Sequence, residues 1–238
     1  MGELLRDKGI WAAAAVCLAS FVLGLPFELV KPPLKAGAFL ELYGKALESQ
    51  IVLFCIPIVS VLPVGAVFVR ESQGGFIRLY ISRISRMEYI RRRVSLVYWG
   101  GVLPFFLSGS LFLAGCFLFF YPLELVGEIS WNAVFDALRL LGRICLVGGI
   151  FAEVSGIFAA VFRNYYMAYG LPFVCYYLLV IVKERYLPGM YALYPGEWMA
   201  VEGYWGADGS GIWWLLLAVT AALAAGHGLC LYGRLWEL

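Results

Sequence analysis

The chain has 238 residues, of which 63% are hydrophobic, 17% aromatic and 14% charged, with a net charge of +2. A soluble domain carries about 45–50% apolar and about 25% charged residues, so the composition excludes a water-soluble fold and predicts one integral membrane domain over residues 1–238. Six cysteines (Cys17, Cys55, Cys116, Cys145, Cys175 and Cys230) stand alone in apolar stretches with no CxxC pair. They read as small buried hydrophobes, with no disulfide and no metal site expected.

In chain order, a short charged segment from Met1 to Lys8 precedes a first span at 9–30. That apolar run is long, and no small-x-small cleavage site follows it, so it reads as an anchor rather than a signal peptide. Lys31-Pro32-Pro33 ends it. Residues 31–50 read as an external loop whose 36–47 part forms either a surface helix or the start of the next span. The second span, 51–69, contains Pro57 and Pro63, which are expected to kink it. A basic connector follows, then a third span at 94–120 with Pro104 inside. Residues 121–136 hold Glu124, Glu128 and Asp136 without Lys or Arg, and belong outside.

The fourth span, 137–162, carries Arg139, Arg143 and Glu153. Arg163-Asn164 forms an internal turn before the fifth span, 165–182, which contains Gly170 and Pro172. Residues 183–211 are dense in Tyr, Trp, Gly and Pro. They read as short re-entrant or interfacial helices, either a lid or a membrane-surface belt. The sixth span is 212–232. Eleven Lys and Arg fall on the predicted inner side and five on the outer side. The positive-inside rule therefore puts both termini in the cytoplasm. The expectation is an all-α integral membrane protein with six transmembrane helices.

The connector, 70–93, holds seven arginines: Arg70, Arg78, Arg83, Arg86, Arg91, Arg92 and Arg93. Such a short basic loop resists translocation and belongs in the cytoplasm. At about 100° per residue, Phe76, Ile77, Tyr80, Ile81 and Ile84 share one arc, while Arg78, Ser82, Ser85 and Arg86 lie opposite. Leu79 and Arg83 occupy less regular positions. Gly74-Gly75 supplies a turn before this amphipathic helix. A solvated basic loop would need the charge but not the ordered apolar arc.

This segment resembles the membrane subunits of ABC-2-type ABC transporters. Those carry, after the second span, an acidic-basic stretch, Gly-Thr, a leucine-rich helix, Ser-x-Pro-x-Ser-Arg-x-Glu and a closing Gly-Lys. Glu71 matches the acidic position, Gly74 the glycine, and Phe76, Leu79 and Tyr80 the bulky positions. Ser85-Arg86-Met87-Glu88 matches the Ser-Arg-x-Glu step, and Arg93 stands at the closing lysine. Gly75 replaces the threonine and Arg83 the proline. The motif covers about a tenth of the chain; the six-span layout extends the resemblance further.

The resemblance implies that Glu71, Gly74, Phe76, Ile77, Arg78, Leu79, Tyr80, Ile81, Ser82, Arg83, Ile84, Ser85 and Arg86 form a coupling helix that docks on a separate P-loop ABC ATPase. A second six-span permease, the same or a related chain, completes such a transporter in a bacterial plasma membrane. Export of a peptide, antimicrobial or lipid-like substrate is the implied activity. This chain has no G-x-x-x-x-G-K-[ST], so it is not itself expected to be an enzyme. No cofactor is expected here, ATP and Mg being bound by the partner. Membrane lipids are expected contacts and nucleic acid is not.

Ionisable residues inside spans are functional candidates by default, which singles out Glu153 and Arg143 for the translocation path. They lie ten residues apart, about 15 Å along a helix, and cannot pair directly. Arg139 and Arg143 can also snorkel to headgroups. Ser155 and His227 raise an intramembrane protease as a lesser alternative, and a non-transporting scaffold or sensor subunit is another.

Overall fold

The computed structural model describes residues 7–30, 33–65, 67–75, 77, 83–125, 127, 129–201, 203–206 and 209–236. These residues form helices, with no strand among them beyond an isolated bridge between Leu34 and Glu124.

Helix α1 (Lys8–Leu23) starts where the Asp7 carboxylate accepts the Gly9 amide at 2.8 Å. It stops at Gly24, two residues before Pro26, and a 3-10 turn follows at Phe27–Leu29. Its 16 residues reach about 24 Å, short of the ~20 residues that a straight crossing requires. The span expected over 9–30 is thus helical only in its first two thirds.

Helix α2 (Ala38–Leu47) is a buried element, not a surface helix: Phe39, Leu40, Tyr43 and Leu47 are all in the core. Its start is fixed from far along the chain. The Glu124 carboxylate accepts the Gly37 amide at 2.9 Å and the Phe39 amide at 2.7 Å. A carboxylate there satisfies orphan donors and complements the helix dipole. Ser49 then caps α3 (Gln50–Val61), which is bent 59° from α2. Helix α3 continues through Pro57, but the chain turns at residues 62–65 around Pro63, whose ring nitrogen has no hydrogen to donate. Helix α4 (Val67–Gln73) follows. The expected span 51–69 is therefore two helices, broken at the second proline.

Helix α5 (Arg86–Phe120) is 35 residues long and α6 (Trp131–Phe162) is 32. They approach closely because small residues face each other. A Cβ on Gly101 would lie 2.4 Å from Cβ of Ala152, and one on Gly148 would lie 2.4 Å from the Phe105 ring. Helix α7 (Tyr165–Arg185) is capped by Asn164, and α9 (Gly211–Trp236) closes the described chain. Helices α5, α6, α7 and α9 are each long and apolar enough to cross a membrane, and α2 with α3 makes a fifth candidate if the bent pair is one span. The apolar window of α6 is 72% buried, against 17% for α7 and α9. Helix α6 is thus the axis, and the other two present apolar faces outward, as lipid contact permits.

The aromatic segment between α7 and α9 folds inward. It holds a four-residue helix, α8 (Glu197–Ala200), whose Trp198 and Met199 enter the main core. The buried Glu197 carboxylate accepts the Gly203 amide and, at 3.0 Å, the Trp205 indole N–H. The Tyr191 hydroxyl donates to the Tyr204 carbonyl at 2.7 Å.

The contacts sort the molecule into two ends. At the C-terminal end of α5, the Leu34 amide donates to the Leu123 carbonyl and the Leu125 amide to the Leu34 carbonyl. At its N-terminal end, α4 packs on Tyr89 and Ile90 beside Ala160, Leu231 and Leu235. Segments expected on one side of the membrane thus meet each other.

Candidate functional site

Two places concentrate charge in this apolar molecule. The first is the N-terminal end of α5, where the basic connector attaches. Ser85 is its N-cap, with Oγ accepting the Glu88 amide at 3.2 Å. The Ser-Arg-Met-Glu step is therefore a helix-starting signal of the Ser-x-x-Glu type. Behind it, Glu71 on α4 pairs with Arg93 and accepts the Tyr89 hydroxyl at 2.9 Å. The Arg93 guanidinium also lies 5.4 Å from the Tyr89 ring centroid. This ion pair is largely shielded from solvent, with side-chain exposures of 10% and 16%. Breaking it would strand a partly buried charge, so it fixes α4 against α5.

Gly74 and Gly75 form the turn after α4, and Gly75 has φ of 71°, a conformation in which glycine avoids the Cβ clash. Ile77 is helical and 1% exposed, packed among Phe68, Val69, Tyr89 and Ile90. Arg83 and Ile84 lie in a turn and a bend rather than a helix, so the expected helix does not extend through Ile84. Ile84 still packs half-buried on the same cluster. Arg83 is exposed, and Arg86, also exposed, sits 4.8 Å from the Trp236 ring centroid. Phe76, Arg78, Leu79, Tyr80, Ile81 and Ser82 lie outside the described residues.

The second place is between α6 and α9. Nδ1 of His227 lies 2.6 Å from Oε2 of Glu153, and both side chains are fully buried. The ring fits because residue 156 is glycine: a Cβ there would stand 2.4–2.9 Å from three His227 ring atoms. Oε1 of Glu153 and Nε2 of His227 have no hydrogen-bond partner. Ser155 does not join them; its hydroxyl donates to the Ala168 carbonyl on α7 at 2.7 Å. The nucleophile–base hydrogen bond that a serine protease requires is therefore not made by Ser155 and His227. Among the described residues, no three His, Cys, Asp or Glu side chains converge as a metal would need.

Arg143 is remote from this pair. It lines a polar cavity with Asp136, Arg139, Ser210 and Trp213, near the start of α9. The two residues singled out for a translocation path thus belong to separate environments. The His227–Glu153 contact spans 74 residues. Its sequence signal was a lone histidine and a lone deep carboxylate on different apolar helices, each needing a partner.

No family model matches this chain, and no curated protein matches it.

Proposed function

We propose that this chain is the transmembrane permease subunit of an ATP-driven exporter of the ABC-2 type, its energy supplied by a separate P-loop ATPase. The observation that carries this reading is the clamped connector. Glu71–Arg93, the Tyr89 hydroxyl and buried Ile77 bolt the basic segment to α4 and α5 at once. A loop that only enforces topology has no need of such fastening. A segment that receives force from a partner does, because slack between it and the spans would dissipate the motion.

In this reading the stretch between Ile77 and Ile84, which themselves pack on the chain's own core, seats in a cleft of the ATPase. Closure of the ATPase pair moves the connector, and the clamp passes that movement to α5 and, through Leu231 and Leu235, to α9. This reading requires six crossings: α5, α6, α7 and α9, a fifth along the broken α2–α3–α4 path, and a sixth made by α1 together with the residues after it. The chain from Gly37 beside Glu124 to Glu71 beside Arg93 runs between opposite ends of α5, which supports a broken crossing over a re-entrant loop. The charge bias puts the connector end in the cytoplasm. A second permease, identical or related, supplies the other half of the path.

The test is affinity purification from the native membrane in mild detergent, with co-purifying chains identified by mass. A P-loop ATPase in comparable amount is the expected result. Recovery of this chain without an ATPase, in detergent and in lipid scaffolds alike, would contradict the reading and favour a scaffold or sensor subunit.

A further inference from the structure

A polar cavity lies at the outer end of α6 in this largely apolar molecule. It has a volume of about 480 Å³ and is lined by Asp136, Arg139 and Arg143 of α6, by Val201, and by Ser210 and Trp213 at the start of α9. Arg139 spends its charge on Asp136, 3.3 Å away on the exposed surface. Arg143 does not. Among the described residues no ion pair includes it, and its buried Nε has no hydrogen-bond partner. Glu48 and Asp136 are the carboxylates that act on it electrostatically. A half-buried guanidinium with an unspent donor, in a cavity where the one lining carboxylate among the described residues, Asp136, is already engaged, is a site for an added anion.

Depth indicates which anion. From Arg143 to Phe162 α6 runs about 19 residues, or about 28 Å, close to the ~30 Å of a bilayer's hydrocarbon core. With the C-terminal end of α6 at one interface, Arg143 stands at the other, at headgroup level. Trp213 bounds the cavity with its ring edge against Gly142, where a Cβ would lie 2.9 Å away. An indole at that depth is typical of the interface. The aromatic segment roofs the cavity through Val201.

The geometry points to a binding site for one phosphate-bearing anion in this cavity, held by the Arg143 guanidinium fork with Arg139 at its mouth. The phosphate belongs either to an outer-leaflet lipid or to a soluble molecule on that side. This inference needs only that α6 crosses the membrane, with the charge bias setting the leaflet, and stands whether or not an ATPase binds the other end.

The experiment uses the full chain, delipidated in a neutral detergent, with two probes: dioleoyl phosphatidylglycerol, retention of which is counted by native mass spectrometry, and inorganic phosphate, followed by thermal shift. Arg143→Gln is compared with Arg143→Lys, which keeps the charge but loses the fork, and with Lys45→Gln, an exposed cation at the same end. The expected result is one retained phosphatidylglycerol per chain, with affinity at least about tenfold weaker in Arg143→Gln, partly weakened in Arg143→Lys and unchanged in Lys45→Gln. A phosphate-induced shift lost in Arg143→Gln, without lipid retention, supports the same site with a soluble ligand. Should Arg143→Gln fail to fold, Arg143→Lys and Arg139→Gln carry the comparison. Lipid retention and phosphate shift that are the same in every folded Arg143 and Arg139 variant as in wild type would overturn the assignment. So would binding of neither probe to wild type.

Discussion

Glu153 and His227 show how one pair of side chains can fix two helices in an apolar interior. Each is fully buried, and each is the other's hydrogen-bond partner. Replacing Glu153 by leucine would leave the imidazole without any partner, whereas glutamine keeps an acceptor for Nδ1. Glu153→Leu is therefore expected to lower stability by about 2 kcal/mol or more, and Glu153→Gln by less than about 1 kcal/mol. Thermal unfolding in detergent reads the difference; equal melting of both variants and wild type would show that the contact contributes nothing. Gly156→Ala is a steric counterpart. Its new methyl would meet the His227 ring and must displace it, for an expected loss of about 1–3 kcal/mol. This pair was not readable as a pair, because no local pattern links residues 74 positions apart. Only the cost of each lone ionisable group was visible.

At the scale of elements, the connector is held by features of two kinds. The Ser85 cap is local and legible as Ser-x-x-Glu, whereas the Glu71–Arg93 pair is made only when α4 folds back on α5. Ser85→Ala is expected to cost about 1 kcal/mol of helix stability, seen as a lower melting temperature. Glu71→Gln is expected to loosen the junction and speed limited tryptic cleavage after exposed Arg83 several-fold, with global unfolding changed far less. Unchanged cleavage would mean that the junction is held without the ion pair. The other elements divide along the same line. The expected spans 94–120, 137–162, 165–182 and 212–232 lie within α5, α6, α7 and α9, because long apolar runs need no tertiary information to be helical. The early end of α1 was missed, and α2 was left open between a surface helix and the start of the second span. Both depend on contacts between distant segments: Ser49 of the α2–α3 corner fills the space at Gly24, and Glu124 caps α2. Pro63 was legible as a kink, but not as the break that it is.

For the whole molecule, the two-ended arrangement makes a claim about sides. Lys35 lies at the Glu124 end and exposed Met87 at the connector end. In intact cells, Lys35→Cys is expected to react with a membrane-impermeant maleimide above the wild-type background, and Met87→Cys only after permeabilisation. The reverse pattern would invert the topology, and labelling of both in intact cells would refute the crossing. The proposed function rests on the connector end. Capture of a P-loop ATPase therefore tests that proposal most directly, comparing wild type with a Tyr80→Asp, Arg83→Asp double variant of unchanged melting temperature, which leaves Ile84 in its core cluster. The account predicts that wild type retains a P-loop ATPase through purification and that the variant loses it. Equal capture by both would contradict a connector that docks on the ATPase.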